Sequence, residues 1–223
     1  TLEELRVLAG GQLPEGRTLI WIAQVLDALS YIHTQNPPVI HRDIKPANIK
    51  ITPAGKTHPL GRAMLVDFGV AKVYDPHKRT TMGARAVTPG FSPHEQYGQA
   101  SLNTDARTDI YSLGATLYML LTGQEPPESI SRLLRDPLIP PRKLNPTLSP
   151  QIETAMLTAM QNDPDQRFQS AEEFRAAIGG LIPATPLPPA AVPTPPPPAF
   201  TAPPQPATPP PPAFVIEAPP TAA

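Results

Sequence analysis

The chain has no cysteine among its 223 residues. That excludes a disulfide framework and cysteine-ligated zinc, and it fits a reducing cytosol. No apolar run approaches the ~18–20 residues that a membrane span requires. The longest, "YSLGATLYMLL" (111–121), reads as a buried core helix. Neither sign of charge dominates: Lys and Arg total 18, Asp and Glu total 19, and the net charge is −1. A near-neutral chain gives no support for a nucleic-acid groove or a polybasic membrane surface. There is no secretory signal pattern, and the first residue is Thr1 instead of Met, as expected of a piece cut from something longer.

Proline is abundant and unevenly placed. Of 35 prolines, 18 fall in residues 181–223, and the same stretch has a single charged residue, Glu217. It repeats "TPPPPAF" at 194–200 and 208–214. Proline donates to neither helix nor sheet ladders, so this segment is expected to be a disordered, polyproline-like spacer, the sharper alternative being a ligand for a proline-binding partner.

Residues 1–180 carry globular patterning. In "TLIWIAQVLDALSYIH" (18–33), Leu19, Ile22, Ala23, Leu26, Leu29 and Ile32 recur at helical spacing. "NIKIT" (48–52) and "AMLVDF" (63–68) read as two short strands around a Pro- and Gly-containing loop, a small hairpin. Residues 105–122 predict a largely apolar helix stopped at Gly123, and residues 150–161 another with Pro150 in its first turn. A further helix at 170–178 opens with Ser170 and Glu173, spaced as a capping box. The expected fold class is α+β: mainly helical, with one small hairpin, ending near Gly180.

The chemistry concentrates in "HRDIKPANIK" (41–50). Phosphoryl transfer asks little covalent work of a protein. It needs a carboxylate to orient an acceptor hydroxyl, oxygen ligands for metal ions, and cations near the moving charge. Asp43 supplies the first and Lys45 a cation. Asn48 and Asp67, the latter in "DFG" (67–69), supply oxygens. Gly69 lets the backbone turn after them. The remaining histidines, His33, His58, His77 and His94, have no metal-ligand spacing.

These residues carry a resemblance. "HRDIKPAN" followed by "DFG" resembles the catalytic loop and metal-binding motif of protein kinases. Six matched positions in eight residues have a chance frequency on the order of 10⁻⁷ to 10⁻⁸ per start site. "VTPGFSPHE" (87–95), "DIYSLG" (109–114) and "DPDQRFQSAEEF" (163–174) resemble the end of a kinase activation segment and parts of the large lobe. The phrasing is most similar to bacterial Ser/Thr kinases of the eukaryotic-like type and covers residues 1–180.

The resemblance implies a protein-kinase-like fold, ATP as phosphoryl donor, Mg²⁺ or Mn²⁺, and protein substrates with Ser or Thr acceptors. It implies Asp43 as catalytic base, Lys45 as stabiliser of the transferred group, and Asn48 and Asp67 as metal ligands. Thr88 would help hold Asp43 and Lys45, and Lys50 would floor the adenine through its stem. Arg42 would pair with a phosphothreonine, with Thr80 and Thr81 the natural candidates, and autophosphorylation in trans is compatible with this. His41, Phe68, Gly69, Glu95, Asp109 and Arg167 would be structural: His41 and Phe68 stacked, Asp109 under the loop, Glu95 paired with Arg167. The chain departs from the family in three side chains. His94 stands where proline is usual, Lys50 where an apolar residue is usual, and Ala47 where basophilic kinases carry glutamate.

The larger departure is upstream. Only about 40 residues precede the loop, with no Gly-x-Gly-x-x-Gly and no strand lysine, so the resemblance is to the large lobe only. The expectation is a Ser/Thr kinase fragment that is poorly active alone, sited in the cytoplasm with any membrane tether outside this chain. The alternative is a catalytically silent, lobe-only scaffold that binds partners. A lobe without its cover should expose apolar surface beside the adenine floor.

Overall fold

The computed structural model describes residues 1–68, 72–73, 87–97 and 104–180. Gly69, Thr80, Thr81 and the proline-rich segment 181–223 lie outside the described residues.

The centre of the molecule is α3 (Ala106–Thr122). Nearly every residue from Thr108 to Thr122 is buried, as expected for a helix that is apolar on all sides. Its ends are set locally. The Asp105 carboxylate accepts from the Arg107 N–H at 2.9 Å, and Gly123 stops the helix in the left-handed region at φ 75°. Around α3 pack α2 (Glu15–His33), α6 (Pro150–Ala159) and α7 (Ala171–Gly179). The buried stripe of α2 includes Leu19, Ile22, Ala23, Leu26 and Leu29. Helix propensities differ by tenths of a kcal/mol per residue. A buried Leu or Ile contributes roughly 1.5–3 kcal/mol, so packing and not propensity decides this helix.

Gly114 lets α3 approach α6. A Cβ there would lie 2.8 Å from Ala159 Cβ and 3.0 Å from Met160 Cγ. Gly114→Val is therefore expected to destabilise the domain by about 1–3 kcal/mol through overpacking. An unchanged denaturant midpoint would show that the two helices part without cost.

The strands form two antiparallel ribbons. β1 (Val39–Ile40) pairs with β4 (Lys72–Val73), Val39 opposite Val73 and Ile40 opposite Lys72. β2 (Ile49–Ile51) pairs with β3 (Ala63–Leu65), Ile49 opposite Leu65 and Ile51 opposite Ala63. The second ribbon is the expected hairpin, with each strand shorter than the sequence pattern, because the ladder ends where the chain turns towards Asn48 and Asp67. The hairpin is pinned to α2. Gln24 Oε1 accepts from Ala63 N–H at 2.6 Å, and buried Trp21 donates its indole N–H to Leu60 O at 3.1 Å. The β1–β4 ribbon and three short helices are not legible in the sequence as elements: α1 (Leu2–Leu8), α4 (Ser129–Leu134) and α5 (Pro141–Leu144). No helix among the described residues is long and apolar enough to cross a membrane.

The capping box expected at Ser170 and Glu173 needs correction. Ser170 accepts from the Glu173 N–H at 3.2 Å, but the Glu173 carboxylate accepts from Gln169 N–H at 2.7 Å, one residue ahead of the cap. The reciprocal box occurs instead at Thr1 and Glu4, opening α1.

Candidate active site

The charged loop runs from β1 to a short 3₁₀ turn, Pro46–Asn48. Ile40 and Ile44 are buried on either side of it and Asp43 lies between them. Arg42 has φ 71° and Asp67 has φ 67°, positive values that cost non-glycine residues about 1–3 kcal/mol each unless the surroundings hold them. The hold on Arg42 is visible. Asp109, fully buried in the first turn of α3, accepts the His41 N–H on Oδ2 and the Arg42 N–H on Oδ1, both at 2.8 Å. Gln96 Nε2 donates to Arg42 O at 2.8 Å from the other side.

Asp43 is the convergence point. Lys45 Nζ lies 3.0 Å from its Oδ1 and 2.9 Å from its Oδ2. The Thr88 hydroxyl donates to Oδ1 at 2.7 Å, and Asn48 Nδ2 donates to Oδ2 at 2.8 Å. Lys45 Nζ also reaches Thr88 Oγ1 at 3.2 Å, so three residues spread over 45 positions close a ring of polar contacts. Burial alone raises the Asp43 pKa. The hydrogen bonds from Lys45, Thr88 and Asn48, together with the lysine's charge, outweigh it and hold the carboxyl below its usual range. Burial lowers the Arg42 pKa, partly offset by Asp109, and Arg42 Nε has no hydrogen-bond partner among the described residues.

Thr88 is held by its own turn. Its N–H donates to Ser92 Oγ at 3.0 Å, its carbonyl accepts from Phe91 and Ser92 N–H, and Gly90 turns the chain at φ 75°. The segment is fastened at Glu95. Arg167 Nη1 and Nη2 meet Glu95 Oε1 and Oε2 at 2.6 and 3.0 Å, with both residues buried. His94 Nδ1 stands 3.5 Å from Glu95 Oε2.

Of the remaining named residues, the structure brings His41 and Phe68 together. His41 Nε2 lies 3.1 Å from Val66 O, and its ring meets Phe68 edge-on with centroids 4.7 Å apart. Lys50 points away from the core on β2, opposite Met64. Met64 and Phe68 are 46% and 44% exposed, so apolar surface does lie open beside the hairpin. Gly69, Thr80 and Thr81 lie outside the described residues.

The donors suit a hard divalent cation. Asn48 spends its amide nitrogen on Asp43, which leaves its oxygen for a metal, and the Asp67 side chain is exposed. Among the described residues no three His, Asp or Glu side chains form a metal-holding group. Two protein oxygens match an ion that keeps its other positions for water and phosphate, as Mg²⁺ does.

Sequence reasoning missed three contributors. His33 Nε2 lies 2.8 Å from Asp109 Oδ2. Gln96 also carries no local signal, since its partner Arg42 lies 54 positions away. The third is the buried Arg132, which pairs with Asp136 four residues on and whose Nη1 also reaches Met160 O at 2.8 Å, 28 positions away.

Comparison with known proteins points the same way. A family profile described as "Protein kinase domain" matches residues 2–176. A probable serine/threonine-protein kinase of Streptomyces coelicolor is 34% identical over 196 residues, which cover 84% of this chain and 27% of that protein. The serine/threonine-protein kinase PknB of Mycobacterium tuberculosis is 33% identical over 187 residues, covering 80% of this chain and 28% of its own. The chain thus spans about a quarter of the length of the curated relatives it matches. Among solved structures, the apo form of PpkA-294 superposes with a TM-score of 0.63 at 27% identity, covering 80% of this chain and 59% of that one. The kinase domain of M. tuberculosis PknI gives 0.55 at 29% identity, covering 76% and 56%.

Proposed function

The chain belongs to the protein kinase family, and from that premise we propose that residues 1–180 are the large-lobe part of an ATP-dependent protein Ser/Thr kinase, with residues 181–223 a spacer. The observation that carries this reading is the ring at Asp43. A single carboxylate receives Lys45, Thr88 and Asn48, and stays ionised at neutral pH. A Ser or Thr hydroxyl entering that ring donates its hydrogen bond to Asp43. The acceptor oxygen–phosphorus bond forms, the bond from the γ-phosphorus to its bridging oxygen breaks, and the hydroxyl proton passes to Asp43. Lys45 holds positive charge beside the transferred group. Asn48 and Asp67 are the residues that would hold Mg²⁺ or Mn²⁺, which neutralises phosphate charge when bound. Asp109, Glu95 and Arg167 keep the loop and the Thr88 turn in register. Arg42 would receive a phosphorylated Thr80 or Thr81.

The proposal includes a limit on the isolated chain. The 40 residues ahead of His41 contain no Gly-x-Gly-x-x-Gly to cover the nucleotide phosphates. The test is transfer of labelled γ-phosphate to a general Ser/Thr protein substrate. It compares residues 1–223 with the same chain extended upstream by its own gene. The expected result is transfer by the extended protein at least a hundredfold faster than by residues 1–223. No transfer by the extended protein refutes the kinase reading, and equal rates refute the limit.

A further inference from the structure

The turn that carries Thr88 has few holds from outside. Its internal bonds run from the Phe91 and Ser92 N–H groups to Thr88 O and from Thr88 N–H to Ser92 Oγ. They give the turn its shape and not its place. The contacts of Thr88 Oγ1 with Asp43 and Lys45 are the ones being placed, so they cannot do the placing. Among the described residues, one further hydrogen bond reaches residues 88–92 from elsewhere: the Ser129 hydroxyl donates to Ser92 O at 2.8 Å. Ser92 is buried and Ser129 fully so, and no other described donor serves that carbonyl. A buried carbonyl stripped of its donor is costly, so this bond fixes where the turn lies.

Ser129 is the first residue of α4, and α4 needs a hold of its own. Its outer side chains Ile130, Leu133 and Leu134 lie open, so apolar burial does not secure so short a helix. The buried Arg132 does. Its Nη1 donates to the Tyr111 hydroxyl at 3.1 Å and to Met160 O at 2.8 Å, and its Nε and Nη2 meet Asp136 at 2.9 and 2.8 Å. Its carbonyl accepts from Asn162 Nδ2 at 3.1 Å. One residue thus ties α4 to α3 and to the end of α6. From α4 the path to the site is short: Ser129 to Ser92 O, Ser92 Oγ to Thr88 N–H, Thr88 Oγ1 to Asp43. We propose that Ser129 is a positioning residue for the acceptor site. Its hydroxyl, kept in place by Arg132 through α4, sets the position of the Thr88 turn and so of the hydroxyl that meets Asp43. The effect on transfer rests on the kinase reading; the hold on the turn does not.

The first test needs no enzymatic activity. In residues 1–223, Ser129→Ala is expected to raise amide hydrogen exchange at Thr88, Phe91 and Ser92 about tenfold. The Asn48 amide of the catalytic loop and the Leu117 and Ala155 amides of α3 and α6 should be unchanged. Ser131→Ala, at an exposed position of the same helix, is expected to leave all of them as they are. Exchange at the three turn amides within about twofold of the natural chain overturns the proposal. So does acceleration spread equally over α3 and α6, which marks a merely structural role. So does a Ser131→Ala variant as fast as Ser129→Ala, which marks a weakened helix in place of a lost bond. In the second test, Ser129→Ala in the upstream-extended protein is expected to lower kcat about tenfold, with KM for ATP within about twofold. An unchanged kcat overturns the link to the acceptor site. If the extended protein transfers no phosphate while exchange responds as expected, the kinase reading falls and the hold on the turn stands.

Discussion

Asp43→Asn is expected to lower phosphoryl transfer by the upstream-extended protein about a thousandfold, within the 10²–10⁴ span typical of a positioned general base. The fold should survive. The substituted amide still offers one acceptor oxygen to Thr88 or Lys45, and Lys45, at 27% side-chain exposure, can be hydrated once its counter-charge is gone. One hydrogen bond is lost, because the new NH₂ faces donors on both sides: Asn48 Nδ2 on one, Lys45 and Thr88 on the other. That costs about 1 kcal/mol, or roughly 2–4 °C in Tm for a domain of this size. The pH dependence follows from the same contacts. A carboxyl held below its usual range contributes stability above the unfolded value of about 3.9 and loses it only as pH falls through the lower folded value. Asp43 therefore stays ionised from about pH 5 to 8, and the rate should show no acid limb from it there. A variant within tenfold of the natural rate, or one that fails to fold, would falsify the role given to this residue.

The sequence makes some parts of this molecule legible and hides others for physical reasons. The loop at 41–48 is readable because phosphoryl transfer demands several residue types at fixed short spacing. The helices α2, α3, α6 and α7 are readable because each buries a long apolar face. Helices α1, α4 and α5, of 7, 6 and 4 residues, bury too little to leave a periodic signal. One clue does exist for α1: Thr1-Leu-Glu-Glu4 has the Ser/Thr-x-x-Glu spacing of a capping box, and the structure forms it. At Ser170 the same spacing yields only half a box, because the carboxylate finds the amide of Gln169. Spacing makes a box available; the conformation of the residue ahead of the cap decides whether it closes. His33 lacks ligand spacing, and its partner is 76 residues away. A buried polar side chain that works through one distant bond leaves no pattern in one sequence.

The second large effect is on stability and can be measured on residues 1–223 as they stand. Arg167→Met is expected to cost about 3–5 kcal/mol, the usual penalty for leaving one member of a buried pair uncompensated, and so roughly 10 °C or more in Tm. Glu95→Gln should cost less, and the reason is geometric. Arg167 donates to Glu95 twice, and also to Gln161 O at 2.7 Å, Asn162 O at 2.9 Å and Arg107 O at 3.1 Å. With Glu95 neutralised, those three carbonyls still receive the guanidinium, and its face keeps the Tyr111 ring at 5.0 Å. With Arg167 removed, all three carbonyls lose a donor. Among the described residues, Glu95 then keeps only the Thr108 hydroxyl at 3.2 Å and the His94 imidazole at 3.5 Å. The pair is thus asymmetric: the arginine is the hub and the glutamate one of its spokes. Glu95→Gln combined with Arg167→Met should cost less than the sum of the two single changes, since the double variant no longer buries an unpaired carboxylate. Equal losses for the two single variants would mean that the carbonyl contacts carry little and that the ion pair alone fastens Glu95 to the helical core; strict additivity in the double would mean that the pair itself contributes nothing to that fastening.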